Sequence, residues 1–302
     1  MWEDFVAVIE TFDLTLADIV GWAVWALVII LMVALIVINV RDANRFVVRE
    51  YYFCSAELLK NAKLLVIADL HNKEYGRGNQ NLWNAVELIA PDYILIAGDM
   101  ITAYRHQDNT PALTFLRKLA AKYPVYYANG NHEHRLSIYA EQYGTLTEEF
   151  EQAVEEMPLR RLRNQHVFLA EMNLAIHGLD LDREYYRRWG TNVMEAAYLT
   201  EALGEPPEGC INLLVAHNPE YFPQYVEWGA DLVVSGHVHG GLVRLPFIGG
   251  IFAPKVMFFP KYDGGVYMSG KSQMILSRGL GTHTIPIRIF NPGELVVVHM
   301  RH

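Results

Sequence analysis

The chain has 302 residues, a formal net charge of −9 and an isoelectric point of about 5.7. This acidic balance, with no basic stripe along the sequence, argues against a nucleic-acid-binding protein. The two cysteines, Cys54 and Cys210, are too few for a disulfide framework and lie outside every histidine cluster, which favours a reducing compartment and argues against a thiolate metal site.

Residues 19–40 form an uncharged apolar run, which is the first recognisable element of the chain. At about 1.5 Å per residue, a helix of this length is long enough to cross the hydrocarbon core of a bilayer. Core helices are usually shorter and amphipathic, which argues against a buried helix. A signal peptide would have Lys or Arg before its apolar run, and the residues before this run include neither. The sequence therefore predicts an N-terminal segment, residues 1–18, followed by one transmembrane helix.

Three arginines that follow the apolar run, Arg41, Arg45 and Arg49, set the expected orientation of the helix. Basic residues favour the cytoplasmic side of a membrane-spanning helix. We therefore expect the rest of the protein to face the cytoplasm, with residues 41–60 as a juxtamembrane linker and residues 61–302 as the soluble domain.

The domain begins with two short apolar runs that are separated by a helical pattern. Residues 63–68 and 93–97 are continuous apolar stretches, which are typical of strands buried on both faces. Asp69 and His71 follow the first run, and Asp99 follows the second. This alternation predicts an α/β fold, in which ligand sites lie beyond the carboxyl ends of the strands, so the two aspartates are expected to lie side by side.

Three later apolar runs also end in residue types that bind metals. The residues concerned are Asn131 and His132 after 123–128, His217 after 212–216, and His237 and His239 after 232–234. Any one of these short motifs is more often a solvated pair, a satisfied core pair or a turn than a ligand set. Five successive runs that end in carboxylate, amide or imidazole groups favour a metal site for Mn, Fe or Zn.

Together these motifs resemble the signature of the calcineurin-like metallophosphoesterases. In chain order they are Asp69-x-His71, Gly98-Asp99, Gly130-Asn131-His132-Glu133, His217 and Gly236-His237-x-His239. The resemblance covers residues 63–300 and implies a β-sandwich of two mixed sheets flanked by helices, here preceded by a transmembrane helix. The Gly-Gly pair after the last histidine and the segment 242–246 are most similar to the membrane-associated branch, which includes secreted phosphodiesterases and pyrophosphohydrolases of lipid A synthesis.

The resemblance implies a site with two divalent metal ions, for which Mn is favoured over Fe and Zn. The implied ligands are Asp69, His71, Asp99 and His239 for one ion, and Asp99, Asn131, His217 and His237 for the other. Two such ions clamp a phosphate group and activate water for an in-line displacement, so that no protein nucleophile is required.

Asp99 and His132 are the expected catalytic residues. Asp99 would bridge the two ions. His132 lies next to an implied ligand, and it could protonate the leaving oxygen or stabilise the transition state. The alternative role for His132 is to orient Asn131.

The expected function is a membrane-anchored phosphoesterase that hydrolyses a phosphodiester, phosphomonoester or pyrophosphate, with the anchor favouring a lipid-linked substrate. Two alternatives stay open. One is a nucleotide or cyclic-nucleotide phosphodiesterase, and the other is a membrane-tethered, metal-binding scaffold with little turnover.

Two segments are candidates for selecting the substrate. Residues 181–203 mix arginines with aromatic residues, among them Arg183, Tyr186, Arg187, Arg188 and Trp189. This composition suits a phosphate or nucleotide head group, and it equally suits a solvated helix with a few core aromatics. Residues 247–260 are strongly apolar and are interrupted by Gly and Pro, as expected either for a lid that faces the bilayer or for strands buried in the sandwich.

Overall fold

The computed structural model describes residues 15–187, 192–195, 197–245, 247–253, 257–282 and 285–302. The predictions for residues 1–14, Arg188, Trp189 and Pro246, and for the stretch 254–256, therefore lie outside the described residues.

The described chain consists of one long N-terminal helix followed by alternating strands and helices. The helices are α1 (Leu16–Ala43), α2 (Gln80–Ile89), α3 (Thr110–Ala120), α4 (Asn131–Ile138), α5 (Ala140–Tyr143), α6 (Thr145–Glu155), α7 (Ala197–Leu203) and α8 (Phe222–Trp228). Short 3₁₀ helices lie at Arg77–Asn79, Arg183–Tyr186 and Pro219–Tyr221. The strands are β1 (Phe46–Cys54), β2 (Ala62–Ile67), β3 (Tyr93–Ala97), β4 (Val125–Ala128), β5 (Arg160–Leu162), β6 (Gln165–Leu169), β7 (Leu174–Leu179), β8 (Ile211–Ala216), β9 (Leu232–Ser235), β10 (Arg244–Leu245), β11 (Gly249–Gly250), β12 (Phe252–Ala253), β13 (Met257–Phe258), β14 (Gly265–Ser269), β15 (Ser272–Leu276) and β16 (Gly293–Arg301).

Most of the strands belong to two six-stranded mixed sheets. The first sheet has the order β1-β16-β2-β3-β4-β5, in which β2 to β5 are parallel and β16 runs antiparallel to β2. The second has the order β14-β15-β9-β8-β7-β6, in which β15, β9, β8 and β7 are parallel. The predicted α/β fold with a sandwich of two mixed sheets is confirmed.

The continuous apolar runs are explained by burial on both faces of each sheet. In β2, Leu64 packs with Leu213 and Val234 of the second sheet, in the core between the sheets. Its neighbour Leu65 points the other way, into a core with helix residues such as Phe115. Because side chains alternate along a strand, a strand covered on both faces needs an apolar residue at every position.

Residues 41–60 were expected to form a linker. In the structure they contain an edge strand of the domain. Strand β1 pairs in parallel with β16 along its whole length, from Phe46 opposite Gly293 to Cys54 opposite Arg301. An edge strand is only partly covered, and the charged pair Arg49-Glu50 interrupts its apolar pattern, so periodicity did not reveal it. Helix α1 is therefore followed at once by a strand of the domain.

The carboxyl end of α1 is hydrogen-bonded to the domain. The Asn39 side chain accepts a hydrogen bond from the Arg288 backbone N–H at 2.7 Å, and buried Asp42 accepts one from the Asn291 backbone N–H at 3.1 Å. The most apolar part of α1 is not buried in the protein, and its length and composition would allow it to cross a membrane. The end of this helix is therefore held in a fixed position on the domain.

The described parts of the apolar segment 247–260 lie outside both six-stranded sheets. They contribute to two short antiparallel hairpins, β10 with β11 and β12 with β13. Phe247, Ile248, Phe258 and Phe259 are exposed. These side chains are therefore not part of strands buried in the sandwich, which was one of the two expectations for this segment.

Candidate metal centre

The loops after β2, β3, β4, β8 and β9 meet at one edge of the sandwich and bring all the predicted site residues together. These residues are Asp69, His71, Asp99, Asn131, His132, His217, His237 and His239, and they are buried except for the half-buried His71 and His237. Subsets of their ligand atoms lie within 4.8 Å of one another. The topology explains the cluster, because the carboxyl ends of parallel strands lie at the same edge of a sheet.

One donor group consists of Asp69, His71, Asp99 and His239. His71 Nε2 and His239 Nε2 are 3.3 Å apart. His239 Nε2 is 3.4 Å from Asp69 Oδ1, and His71 Nε2 is 3.7 Å from Asp99 Oδ2. Ligand atoms bound at about 2.1 Å to one ion lie about 3 to 3.5 Å from each other, so these spacings suit a shared cation.

A second donor group shares Asp99 with the first and also contains Asn131, His217 and His237. His217 Nε2 lies 3.2 Å from Asp99 Oδ2. One end of the Asn131 side-chain amide lies 2.8 Å from His237 Nδ1 and 3.3 Å from Asp99 Oδ2. The donor set therefore fits a metal ion at this position.

The hydrogen bond behind His217 also fits a ligand role. His217 Nδ1 donates to the Ala97 carbonyl at 2.6 Å, which turns the Nε2 lone pair toward the carboxylates. Burial opposes protonation of this ring, but Asp99 and Asp69 outweigh it and raise the pKa of His217 to about 10. The buried carboxylates thus require positive charge beside them, which a divalent cation supplies.

Several ligand candidates have left-handed backbone conformations. The φ values are 50° at Asp69, 47° at His71, 53° at Asp99, 74° at His237 and 52° at His239. Such conformations cost non-glycine residues about 1–3 kcal/mol each, and they cluster at functional sites, where surrounding structure enforces them. The loops here hold strained backbone in order to direct these side chains to one point.

Glu133 joins two of the ligand loops, a role that the sequence motif did not indicate. Its fully buried carboxylate accepts hydrogen bonds from the backbone N–H groups of Asp99 at 2.8 Å, Met100 at 2.9 Å and Gly130 at 2.9 Å. The Tyr127 hydroxyl donates to the same carboxylate at 2.8 Å. Glu133 therefore fixes the loop after β3 against the loop after β4.

His132 presents a ring N–H near the ligand cluster. Its Nδ1 accepts a hydrogen bond from the Ala103 backbone N–H at 2.8 Å, so the neutral ring carries its proton on Nε2. The ring centroid lies 4.9 Å from that of His71, in an edge-on arrangement. The His132 backbone N–H also donates to Asp99 Oδ1 at 2.8 Å, which leaves Oδ2 directed at the two donor groups.

Asn291 connects the N-terminal helix to the loop that carries His239. Its backbone N–H donates to Asp42 of α1, and its side-chain NH₂ donates to the carbonyls of His239 and Gly241, both at 2.7 Å. No sequence motif marked this residue. A ligand candidate and the end of α1 therefore share one hydrogen-bonding partner.

Comparisons with known proteins identify a family to which this chain is similar. A model of the calcineurin-like phosphoesterase family matches residues 62–241, a range that includes every predicted ligand. The metallophosphoesterase YkuE of Bacillus subtilis is 26% identical over 221 residues, which cover 70% of this chain and 68% of the relative. The metallophosphoesterase Cj0846 of Campylobacter jejuni is 27% identical over 249 residues, covering 81% of this chain and 60% of the relative. The phosphodiesterase YaeI of Escherichia coli is 26% identical over 226 residues, covering 73% of this chain and 75% of the relative.

Because Glu133 fixes the loop after β3 against the loop after β4, we expect Glu133→Gln to weaken metal binding about 10- to 100-fold. In this variant an amide NH₂ group would face backbone N–H donors. Titration calorimetry of the metal-stripped full chain with Mn²⁺ measures this change. Tyr127→Phe removes one donor but leaves the backbone hydrogen bonds, so its affinity should stay within about fivefold of wild type. If Glu133→Gln binds Mn²⁺ with wild-type affinity, the proposed role of Glu133 in fixing the two loops is contradicted.

Proposed function

The chain belongs to the calcineurin-like phosphoesterase family, and on that basis we propose that it hydrolyses a phosphate ester at a centre of two divalent cations. Membership of the family makes it a metal-dependent phosphoric ester hydrolase. The position of Asp99 is the observation that supports two cations: its Oδ2 lies 3.7 Å from His71 Nε2 and 3.2 Å from His217 Nε2, so that it faces both donor groups.

In this proposal each donor group holds one cation. Asp69, His71, Asp99 and His239 hold the first, and Asp99, Asn131, His217 and His237 hold the second. When bound, the two cations supply Lewis-acid stabilisation of the phosphate oxygens and lower the pKa of water. Oxygen and nitrogen ligands of this kind suit Mn, Fe or Zn, and we favour Mn.

The protein's own residues orient the substrate and transfer the proton. Asp99 is held by the backbone N–H of His132, so the carboxylate shared by the two donor groups cannot rotate freely. The Nε2–H of His132 donates to the leaving oxygen as the ester bond breaks, because its Nδ1 is already used as an acceptor.

We also propose that α1 anchors the protein in a membrane with the domain on the cytoplasmic side. The most apolar part of the helix is not buried in the protein, Arg41 lies in its last turn, and Arg45 and Arg49 follow it. Cys54 and Cys210 are free cysteines, and free thiols suit a reducing compartment.

Exposed apolar hairpins favour a lipid-linked substrate over a soluble nucleotide. Phe258 and Phe259 are exposed at the end of the second hairpin. Val243, next to the first hairpin, forms a bridge with Ile289, and the adjacent Arg288 is hydrogen-bonded to the end of α1. This connection supports a position of the hairpins near the membrane surface, where exposed aromatic side chains can contact acyl chains.

Loss of Asp99 or His132 should strongly reduce hydrolysis while the protein stays folded. We expect Mn²⁺ to restore hydrolysis of bis-p-nitrophenyl phosphate by the metal-stripped full chain, and His132→Ala to reduce the rate about 10²- to 10⁴-fold. Asp99→Asn should lose activity because it weakens both donor groups. His166→Ala, at an exposed position on β6, is the control and should keep the wild-type rate.

Two results together would contradict the enzymatic function: a wild-type protein that is inactive with Mn, Fe and Zn, and Asp99 and His132 variants that differ from it only in melting temperature. The protein would then be interpreted as a metal-binding scaffold.

The hairpins generate a separate prediction about substrate preference. Phe258→Ser/Phe259→Ser should reduce kcat/KM for hexadecyl p-nitrophenyl phosphate about tenfold or more, since two aromatic contacts with the acyl chain are lost. Hydrolysis of bis-p-nitrophenyl phosphate should not change. Val266→Ser/Met268→Ser removes two exposed apolar residues of β14 and serves as the matched control. Equal losses on both substrates would contradict the proposed role of the hairpins.

A further inference from the structure

A cavity of about 690 Å³ opens beside the candidate metal centre. Its wall includes Asn131, His134, Arg135, Arg183, Tyr186 and Arg187. Asn131 belongs both to this wall and to the second donor group, so the cavity and the centre are contiguous. A volume of this size is within the usual range of small-molecule sites and exceeds the need of a single phosphate group.

The three arginines of this wall come from two elements that pack together. Arg135 lies one helical turn after Asn131 in α4, so both side chains project from the same face of the helix. Arg183 begins the neighbouring 3₁₀ helix, and Arg187 follows its last residue. The fold thus gathers three positive charges at one cavity, in a chain whose net charge is −9.

These guanidinium groups are available to bind an anion. Among the residues that the structure describes, none of the three forms an ion pair with a carboxylate. The Arg183 guanidinium lies over the Tyr139 ring, 4.9 Å from its centroid, a contact that orients the group without using its N–H donors. Among the described residues of the wall, Glu184 is the one carboxylate, and it accepts a hydrogen bond from the Asn192 side chain at 3.0 Å.

The wall between the cavity and the centre is built from well-held side chains. The Tyr186 ring lies 5.3 Å from the His237 ring and 6.1 Å from the His217 ring. His134 Nδ1 lies 2.9 Å from Asp180 Oδ1, so a buried carboxylate fixes this ring. A substrate group in the cavity would therefore occupy a defined position relative to the ester at the centre.

We infer that this cavity is an anion subsite, which binds a second phosphate group of the substrate next to the phosphate that is hydrolysed. The inference rests on the proposed function and names its substrate class: pyrophosphate diesters, whether from a nucleotide or from a lipid. Water attacks one phosphorus, the bridging P–O bond breaks, and the released phosphate monoester takes the proton. Arg135, Arg183 and Arg187 bind the phosphate that is not attacked.

The test compares the wild-type full chain with Arg183→Ala/Arg187→Ala on substrates with one or two phosphates. With Mn²⁺, the variant should show a KM at least about tenfold higher for a pyrophosphate diester, because charge-assisted hydrogen bonds are lost. Its KM for bis-p-nitrophenyl phosphate should stay within twofold of wild type. ADP-ribose and CDP-diacylglycerol in mixed micelles are the two pyrophosphate probes, and they distinguish a nucleotide from a lipid source.

Arg160→Ala/Arg301→Ala, which removes two exposed arginines outside the cavity, controls for the loss of charge and should leave both KM values unchanged. Calorimetry with ADP and metal-free protein adds a readout that needs no turnover. Wild type should bind ADP at least about tenfold more tightly than Arg183→Ala/Arg187→Ala.

Three results would each overturn the subsite. The variant could change KM equally on both substrate classes, or the wild type could hydrolyse bis-p-nitrophenyl phosphate but neither pyrophosphate. The third result is equal ADP binding by wild type and variant. If ADP binding depends on the arginines but no ester is hydrolysed with any metal, the subsite stands and the proposed function fails.

Discussion

Two carboxylates buried side by side are the constraint on which the rest of this structure depends. Asp69 and Asp99 have almost no exposed surface, and burial raises the pKa of Asp69 to about 7. Burial acts on Asp99 as well, but neighbouring imidazoles, led by that of His217, hold its pKa well below its usual value. Buried carboxylates are stable only beside compensating positive charge, so the surrounding histidines and the strained loop backbone are explained by a cation centre.

The same loops link the centre to the chain's other features. Glu133 binds backbone N–H groups of two loops, and Asn291 joins the His239 loop to the end of α1. Because β1 follows α1 without a flexible linker, a membrane that holds the helix would also set the distance of the centre from the bilayer. Under the two proposals, the exposed Phe258 and the arginine-lined cavity would contact different parts of one amphipathic substrate.

The convergence of the candidate ligands could be predicted from the sequence because each candidate follows a strand buried on both faces. Such strands are visible as continuous apolar runs, and parallel strands direct their carboxyl ends to one edge. The edge strand β1 was missed because Arg49 and Glu50 interrupt its pattern. The role of Glu133 depends on hydrogen bonds to a loop more than 30 residues away in the chain, and the cavity depends on how Arg183 and Arg187 pack beside α4. Local sequence patterns contain neither relation.

Metal stoichiometry tests the central claim most directly. Titration calorimetry of the metal-stripped full chain with Mn²⁺ should give two equivalents per chain, and Asn131→Ala, which removes a ligand from one donor group only, should leave one tight equivalent. A wild-type protein that binds a single equivalent, or an Asn131→Ala variant that still binds two with unchanged affinity, would contradict a centre of two cations around Asp99.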